Sequence, residues 1–439
     1  MAHVRSFRGV RYAPRVALDH ALAPPYDVIS APQREALARH AENVVHVELP
    51  LDTEGPGSRY GVAASLWSRW RAEGLVAPDP TPAIYPYAQT FEHEGVSRER
   101  RGVFALVELA PPGPGSGIFP HEFTLSGPRE DRLRLLAATH ANLSPIFLLY
   151  EDTDGAVARA LAGAWETPLA RARTPWGTRE ALGRLEGGPA AAVTRALSAR
   201  PLVFADGHHR FESALRYAQE SGATSADDPR RYLLAVFVER SDPGLLVLPT
   251  HRMVKPEAYS AGPEWDRLLT RAFDSVPLGH GQDAVATAES WLASGVATDR
   301  PAFVLARGQE PDLTGLALKD GGEEALFAGG DVAAALRGLD VVVLHALLER
   351  GLGLTSEAVR DRGALAYTRD AREAVGAAAH GAGAAFLMRP TPVERVIALA
   401  AAGHRLPQKS TYFEPKLTSG WLFHDHDLVT AGALSEEKR

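Results

Sequence analysis

Residues 201–221, PLVFADGHHRFESALRYAQES, constrain the fold more strongly than any other segment of the chain. An apolar run at 201–207 ends in Asp206 and Gly207, which is typical of a buried strand that enters a turn. Apolar residues then recur at the i, i+3, i+4 and i+7 spacing of an amphipathic helix: Phe211, Ala214, Leu215 and Ala218. A strand, a glycine turn and a helix in direct succession predict a mixed α/β fold with several layers.

This turn also concentrates polar chemistry. The N-terminus of a helix presents backbone N–H groups and the positive end of the helix dipole, so it binds phosphate readily. Gly207 permits a sharp turn and a close approach of backbone to ligand. Asp206 either caps the helix or points into a site, where it could accept a proton or hold Mg²⁺.

Three further polar side chains follow at once: His208, His209 and Arg210. The guanidinium of Arg210 has a fork geometry that suits phosphate, and Glu212, one turn after His208, could orient that imidazole. Adjacent histidines are poor partners for one tetrahedral ion, so zinc is not favoured. The alternative is a capped helix whose polar first turn is simply solvated.

Two other segments combine acids, bases and hydroxyls. HEFTLSGPREDR at 121–132 makes Glu122 a candidate general base and Arg129 a candidate phosphate clamp; the alternative is an acidic helix N-terminus with surface ion pairs. LPQKSTYFEPK at 406–416 lacks the glycines of a Walker motif, and its alternative is a loop that packs back on its domain. The candidate residues of these two segments are His121, Glu122, Thr124, Arg129, Asp131, Gln408, Lys409, Ser410 and Thr411.

Weaker candidates lie in three short stretches. Thr250, His251 and Arg252 are predicted at a strand end, where α/β folds place ligands. Tyr26 and Asp27 follow two prolines in a loop that we expect to be rigid. The run HDHD at 424–427 could ligate a metal, but it is predicted to be a solvated turn near the chain end.

Composition limits the possible functions. The 439 residues include no cysteine, which excludes disulfides, thiolate metal sites and cysteine nucleophiles. The formal net charge of −7 argues against a nucleic-acid partner. No signal peptide and no apolar run of spanning length is present. We therefore expect a cytoplasmic protein without membrane contact, and no sequence-specific DNA binding.

Patterning divides the chain into three expected regions: an N-terminal α/β domain at 1–150, a segment at 151–255 that contains DGHHR, and a C-terminal α/β domain at 256–439. Residues 44–50 predict a buried strand, and residues 83–91 and 101–110 predict a hairpin. A helix is predicted from about residue 128 to 140.

Five motifs in order give the chain its resemblance to a known family: APPYDVI, HEFTLSGPREDRL, ADGHHRFESAL, LPTHRMV and LPQKSTYFEPK. Together they resemble the bacterial and archaeal family called domain of unknown function 1015, sometimes labelled SpoOJ/ParA/ParB/repB-like. The resemblance extends over almost the whole chain. The family has no firmly assigned activity, so the resemblance implies none.

Residues 190–220 also resemble, more distantly, the strand-turn-helix core of the ParB/sulfiredoxin superfamily. That superfamily includes the CTP-binding partition protein ParB, sulfiredoxin and a free-serine kinase, in which the corresponding turn holds nucleotide phosphates. The resemblance implies that Gly207, His208, His209 and Arg210 bind phosphate, with Asp206 near Mg²⁺. Sulfiredoxin chemistry needs a cysteine, which this chain lacks.

The sequence therefore predicts a nucleotide-dependent phosphotransferase that acts on a small polar metabolite, with ATP, ADP or CTP and Mg²⁺ as cofactors. Glu122 or Asp206 would activate the hydroxyl, and Arg129 or Lys409 would hold the γ- or β-phosphate. Arg210, His208 and the helix end would supply the positive charge. The alternatives are a ParB-like nucleotide switch without turnover and a non-catalytic ligand-binding protein. The oligomeric state does not follow from the sequence.

Overall fold

The computed structural model describes residues 1–52, 58–124, 126–295, 299–355, 359, 363–381 and 383–428. The chain divides into two compact units. The first unit comprises Met1–Pro120, Thr124–Leu246 and Pro415–Arg439, and the second comprises His121–Phe123 and Val247–Glu414. Both units contain helices and sheets, so the predicted mixed α/β class is confirmed. The three-region division stays a prediction.

A nine-stranded mixed sheet forms the centre of the first unit. Its strands in spatial order are Ile118–Phe119, Leu202–Asp206, Ile146–Tyr150, Tyr232–Glu239, Val96–Glu108, Tyr85–His93, Arg179–Leu182 and Ala170–Arg173, with Val4–Arg5 paired to the fifth. Two pairs are parallel, namely 118–119 with 202–206 and 146–150 with 232–239. The predicted hairpin at 83–91 and 101–110 is confirmed.

The helices of this unit bury apolar residues either against the large sheet or in a second core cluster beside the small ladders. They are Leu18–Ala21, Ala31–Leu37, Val45–Glu48, Arg59–Ala72, Ser126–Thr139, Ala156–Ala160, Gly187–Ser198 and His208–Glu220, with 3-10 turns at Tyr26–Val28 and Pro229–Arg231. Two small ladders complete the unit: Val10–Tyr12 with Val76–Pro78, and Ala141–Asn142 with His424–Asp425. The helix His208–Glu220 buries Phe211, Ala214 and Ala218 against the sheet core, as its spacing predicts.

The second unit has its own six-stranded sheet, in which every pairing is antiparallel. Its strands in spatial order are Phe273–His280, Asp312–Leu318, Ala302–Arg307, Ala384–Leu387, His251–Val254 and Leu365–Thr368. Its helices are Pro263–Ala272, Val285–Leu292, Gly322–Phe327, Asp340–Leu352, Ala371–Ala379 and Val393–Ala401. The remaining elements are the strands Leu246–Val247 and Phe413–Glu414 and the 3-10 turns Pro256–Ala258, Gln282–Ala284 and Ala334–Leu336.

Two local predictions are wrong. Residues 44–50 do not form a strand, since Val45–Glu48 is a helical turn after Asn43, whose Oδ1 accepts the Val45 N–H at 2.9 Å. A short apolar run fits either conformation, and the Asn43 hydrogen bond together with packing stabilises the helical turn here. The 424–427 run is not a solvated turn: His424, Asp425 and His426 are buried.

Among the described residues, there is no helix with both the length and the apolar character that crossing a bilayer requires.

Candidate functional site

The strand-to-helix turn at 206–208 is held rigidly in the first unit. The strand Leu202–Asp206 pairs on both sides, with Ile118–Phe119 and with Ile146–Tyr150. Gly207 has φ of 94°, in the left-handed region, and the helix begins at His208. A Cβ on Gly207 would lie 2.8 Å from Cγ2 of Ile146. Only glycine therefore fits this turn without strain.

Replacing Gly207 by alanine is expected to lower the free energy of unfolding by about 1–3 kcal/mol, because the left-handed backbone and the contact with Ile146 both oppose a side chain. Gly222 is a matched control, since its φ is also positive, at 67°, but a Cβ at this position would meet no atom within 4 Å. Urea denaturation should show a larger loss for Gly207→Ala than for Gly222→Ala. Equal losses would contradict the role of close packing at this turn.

The carboxylate of Asp206 joins two cations. Its Oδ2 accepts a hydrogen bond from Nη2 of Arg210 at 2.8 Å, and its Oδ1 accepts one from Nζ of Lys416 at 3.0 Å. Nη1 of Arg210 donates to the carbonyl of Pro145. The N-cap of the helix is Gly207, which has no side chain. The capping role and the role in a charged site both stay predictions for Asp206.

The histidines of the turn differ in environment. The His208 ring stacks on Phe204, with ring centroids 4.8 Å apart. His209, at the next position, is partly exposed. Glu212, which we considered as an orienting group for His208, accepts hydrogen bonds from Thr124 at 2.6 Å and from Arg129 at 3.0 Å. The side chain of Arg129 is 45% exposed, so this ion pair contributes little to stability.

A second charged cluster surrounds the buried guanidinium of Arg132. Its Nη2 lies 2.6 Å from Oδ2 of Asp131, and its Nη1 donates to the backbone carbonyl of Glu48 at 2.8 Å and lies 3.5 Å from its carboxylate. Ser144 donates to the Glu48 carboxylate at 2.7 Å. The guanidinium lies 4.0 Å from the ring centroid of Tyr26. The predicted residues Tyr26 and Asp131 thus belong to one network.

Burial and charge set the protonation of this cluster. Burial raises the pKa of Glu48, although the positive charge of Arg132 and the Ser144 hydrogen bond oppose the rise. Burial also acts to raise the pKa of Asp131, but the neighbouring guanidinium of Arg132 and other donors hold it below its ordinary value. Burial raises the pKa of Tyr26; the negative charge of Asp206 adds a smaller rise, and the positive charge of Arg210 opposes it. Asp27, next along the chain, is exposed.

The two clusters border one small cavity of about 40 Å³, large enough for water. Its polar lining comes from both clusters and from the helix: Glu48, Arg132, Asn142, Ser144, Arg210 and Ser213. Segments from the first 50 residues, from 131–144 and from 206–213 therefore meet at this point, and Lys416 joins them through Asp206.

Sequence reasoning did not select Glu48, Arg132, Ser144 or Lys416 as site residues. Glu48 was hidden in the segment that we expected to be a strand. Lys416 had a usable signal, since the chain contains only five lysines and this one ends the LPQKSTYFEPK motif. Arg132 ends the HEFTLSGPREDR motif and could have been selected beside Asp131.

The second unit brings Glu122 to the 408–411 turn. Its carboxylate accepts the backbone N–H of Lys409 at 3.3 Å and that of Thr411 at 3.1 Å. Nε2 of His121 lies 2.8 Å from Oγ1 of Thr411. Ser410 is buried and donates to the carbonyl of Pro407, whereas Lys409 is exposed, with φ of 55°. These contacts give the Glu122 carboxylate a turn-holding role within its unit.

The 250–252 residues lie at the start of the strand His251–Val254, not at its carboxyl end, and the sheet is antiparallel. The rule for parallel α/β sheets does not apply here, so that basis for a ligand site is wrong. Arg252 is buried and donates to the carbonyls of Thr250 at 2.6 Å and Lys409 at 3.1 Å. Nδ1 of His251 accepts the Met388 N–H at 3.0 Å, and burial lowers the pKa of His251 to about 4.

Within the described ranges, no cluster of three or more histidine and carboxylate side chains has the arrangement of a metal site. In the 424–427 run, Asp425 accepts hydrogen bonds from Trp67 at 2.7 Å and from Arg71 at 3.2 Å. The Asp425 carboxylate therefore contributes to the packing of the first unit.

The chain belongs to the family described as "Protein of unknown function (DUF1015)", whose model matches residues 4–342. This confirms the family resemblance that the five motifs indicated. No curated protein was found to match the chain.

Several solved structures are similar to the chain at low identity. A mutant free serine kinase in complex with ADP shares 13% identity over 71% of this chain and 87% of that one, with a TM-score of 0.37. A C-terminally truncated SbnI from Staphylococcus aureus shares 11% over 76% and 94%, with a TM-score of 0.37. A conserved hypothetical protein from Pyrococcus furiosus shares 14% over 72% and 92%, with a TM-score of 0.35. At these scores the likeness carries no argument about activity.

Proposed function

We propose that this protein is a nucleotide-dependent phosphotransferase that acts on a small polar metabolite, with phosphate held at the N-terminal turn of the helix His208–Glu220. One observation carries the proposal. Tyr26, Arg132, Arg210 and Lys416 come from four separated motifs, and they gather with Asp206 around one strand-to-helix turn of the first unit. Such a concentration of charge beside a glycine turn is typical of anion sites.

Phosphate has two cations to bind at this turn. Arg210 and Lys416 both neutralise Asp206, and their side chains are only 10% and 12% exposed. An incoming phosphate competes with Asp206 for these two partners, with support from the positive end of the helix dipole. Exchange of one anion for another keeps both buried cations paired.

The same exchange releases the Asp206 carboxylate for chemistry. In the proposed transfer, the bond between the terminal phosphorus and its bridging oxygen breaks, and a bond from the acceptor hydroxyl oxygen to that phosphorus forms. The hydroxyl proton passes to Asp206, and the nucleoside diphosphate leaves with the bridging-oxygen electrons. His208, in the first helical turn, is the proposed neighbour of the acceptor hydroxyl.

Mg²⁺ normally accompanies nucleotides and is held by their phosphates with one or two carboxylates. Asp206 supplies one carboxylate at this turn, which fits that mode of binding, and Mg²⁺ would neutralise phosphate charge. Gly207 and His209 are proposed phosphate contacts from the superfamily resemblance. Glu122, Arg129, Lys409, Ser410 and Thr411 remain proposed site residues on sequence grounds alone.

Turnover tests the proposal directly. The purified chain would be incubated with Mg²⁺, ATP or CTP, and a panel of hydroxyl-bearing amino acids, polyols and sugars, with nucleoside diphosphate formation as the readout. The proposal expects formation that depends on one acceptor class. Nucleotide binding without turnover would favour the nucleotide switch, as the ParB-like resemblance implies. Absence of any nucleotide binding would favour a non-catalytic ligand-binding protein.

Lys416→Gln is expected to weaken ADP binding by about 10–100-fold, because a charge-assisted hydrogen bond to phosphate contributes about 1.5–3 kcal/mol. Lys255→Gln is the matched control, since Lys255 is exposed in the second unit. Calorimetric titration with ADP would measure both. An unchanged dissociation constant for Lys416→Gln would remove Lys416 from the proposed site.

A further inference from the structure

A separate cavity of about 530 Å³ opens in the second unit, a volume within the range of small-molecule sites. It lies among the helix Gly322–Phe327, the helix Asp340–Leu352 and the segment 405–408. Its apolar wall comes mainly from Leu326, Phe327, Val332, Leu336, Val342 and Ala346. Such a wall suits a hydrocarbon body and offers no hydrogen bonds to a polar one.

Two buried nitrogen atoms in the lining lack partners. Nε2 of His345 and Nε2 of Gln408 are shielded from solvent and make no hydrogen bond within the part of the chain that the structure describes. A buried polar group without a partner costs about 1–3 kcal/mol. The amide nitrogen of Gln408 can only donate, so the atom that it lacks is an acceptor.

His345 contributes a neutral ring to this cavity. Burial, with a smaller contribution from the positive charge of Arg252, lowers the pKa of His345 to about 3. The imidazole is therefore uncharged near neutral pH and can present an N–H to an acceptor in one of its tautomers.

A cation also lines the cavity. The guanidinium of Arg405 lies 5.7 Å from the ring centroid of Phe123, and no carboxylate among the described residues pairs with it. Arg350 is a second lining residue, but it donates to the backbone carbonyls of Leu326 and Ala328. Among the described residues of the lining, Glu349 is the single acid, and it is exposed. The described side chains of the lining thus offer more donors than acceptors.

We infer that this cavity binds a small carboxylic acid with an apolar body. The carboxylate would accept hydrogen bonds from Arg405, Gln408 and His345, while the hydrocarbon packs on the apolar wall. A carboxylate has two oxygens and about four acceptor positions, which matches the donors available. The inference stands independently of phosphate binding at the turn around Gly207, because the residues that line this cavity lie in the second unit and that turn lies in the first.

Calorimetric titration of the full chain with octanoate and 4-phenylbutanoate tests the inference, with octanol and 4-phenylbutanol as neutral probes of the same body. The expected result is saturable binding of at least one acid, at least about tenfold tighter than its alcohol. Equal binding of acid and alcohol would contradict the inference that the cavity recognises a carboxylate. Absence of saturable binding by every probe would overturn the site itself.

Substitutions of lining residues test whether the carboxylic acid binds in this cavity. Arg405→Gln and the nearly isosteric Gln408→Glu are each expected to weaken binding of the acid by about tenfold or more, the second through charge repulsion. Arg267→Gln is the matched control, because Arg267 is 73% exposed in the same unit. Ala346→Phe, which fills the cavity, should block acid and alcohol alike. If Arg405→Gln binds the acid as the wild type does, the inference is wrong, whatever the folding of Ala346→Phe.

Discussion

Glu180→Gln is expected to lower the free energy of unfolding by about 2–6 kcal/mol, the largest stability effect that we predict. Glu180 is buried, and its carboxylate accepts five side-chain hydrogen bonds. Oε1 accepts them from Gln89, Thr178 and Thr418, and Oε2 accepts them from Tyr87 and Trp421. In glutamine, an NH₂ group replaces either Oε1 or Oε2, so that one of the two acceptors becomes a donor. At least two buried donors then lose their partner.

This network also positions Lys416. Gln89, which donates to Glu180 at 3.1 Å, donates to the backbone carbonyl of Lys416 at 3.0 Å. Lys416 in turn contacts Asp206. We therefore expect Glu180→Gln to weaken ADP binding as well, although Glu180 is a positioning residue that does not contact the turn itself.

Urea denaturation measures the stability effect, with Glu73→Gln as the exposed control. Restoring the fold of Glu180→Gln distinguishes a positioning role of Glu180 from a general loss of structure. If Glu180 positions Lys416, added osmolyte should restore folding but only part of the affinity for ADP. A loss of stability similar to that of the control would show that the five donors find other acceptors.

Asp206→Asn is expected to lower kcat by about 10²–10⁴-fold, the contribution of a general base. Binding of ADP in the absence of Mg²⁺ should stay unchanged or become tighter, because asparagine no longer competes with phosphate for Arg210 and Lys416. The split between turnover and affinity separates a proton acceptor from a residue that only supports the turn.

Asp340→Asn is the control for loss of an ion pair. Asp340 pairs with Arg389 at 2.6 Å, with side chains that are 15% and 18% exposed, a burial comparable to that of Asp206. Turnover by this variant should remain close to that of the wild type. If Asp206→Asn retains wild-type kcat in the same assay, Asp206 is not the base.

The sequence predicted the elements that carry strong periodicity or a strong turn. The helix at 208–220 and the strand before it follow from an apolar stripe and a glycine, both of which are local properties. The 44–50 segment was assigned wrongly because a short apolar run fits a strand or a helical turn equally well. The conformation of this segment depended on packing and on the hydrogen bonds of Asn43.

The candidate site was predictable only in part, because its contacts join distant segments. Asp206 and Arg210 were found from a local concentration of polar residues. Nothing local indicated that Lys416, which is 210 positions after Asp206, would share its carboxylate. Glu48 was missed for the related reason that its burial beside Arg132 depends on tertiary structure alone.

Hydrogen–deuterium exchange with and without ADP and Mg²⁺ tests the central claim most directly, because it reports where the nucleotide acts on the backbone. The account predicts slower exchange at the amides of the turn around Gly207 and in the first turn of the helix His208–Glu220. It also predicts that Lys416→Gln reduces this protection. Saturating ADP that leaves the exchange of residues 206–211 unchanged would contradict phosphate binding at this turn.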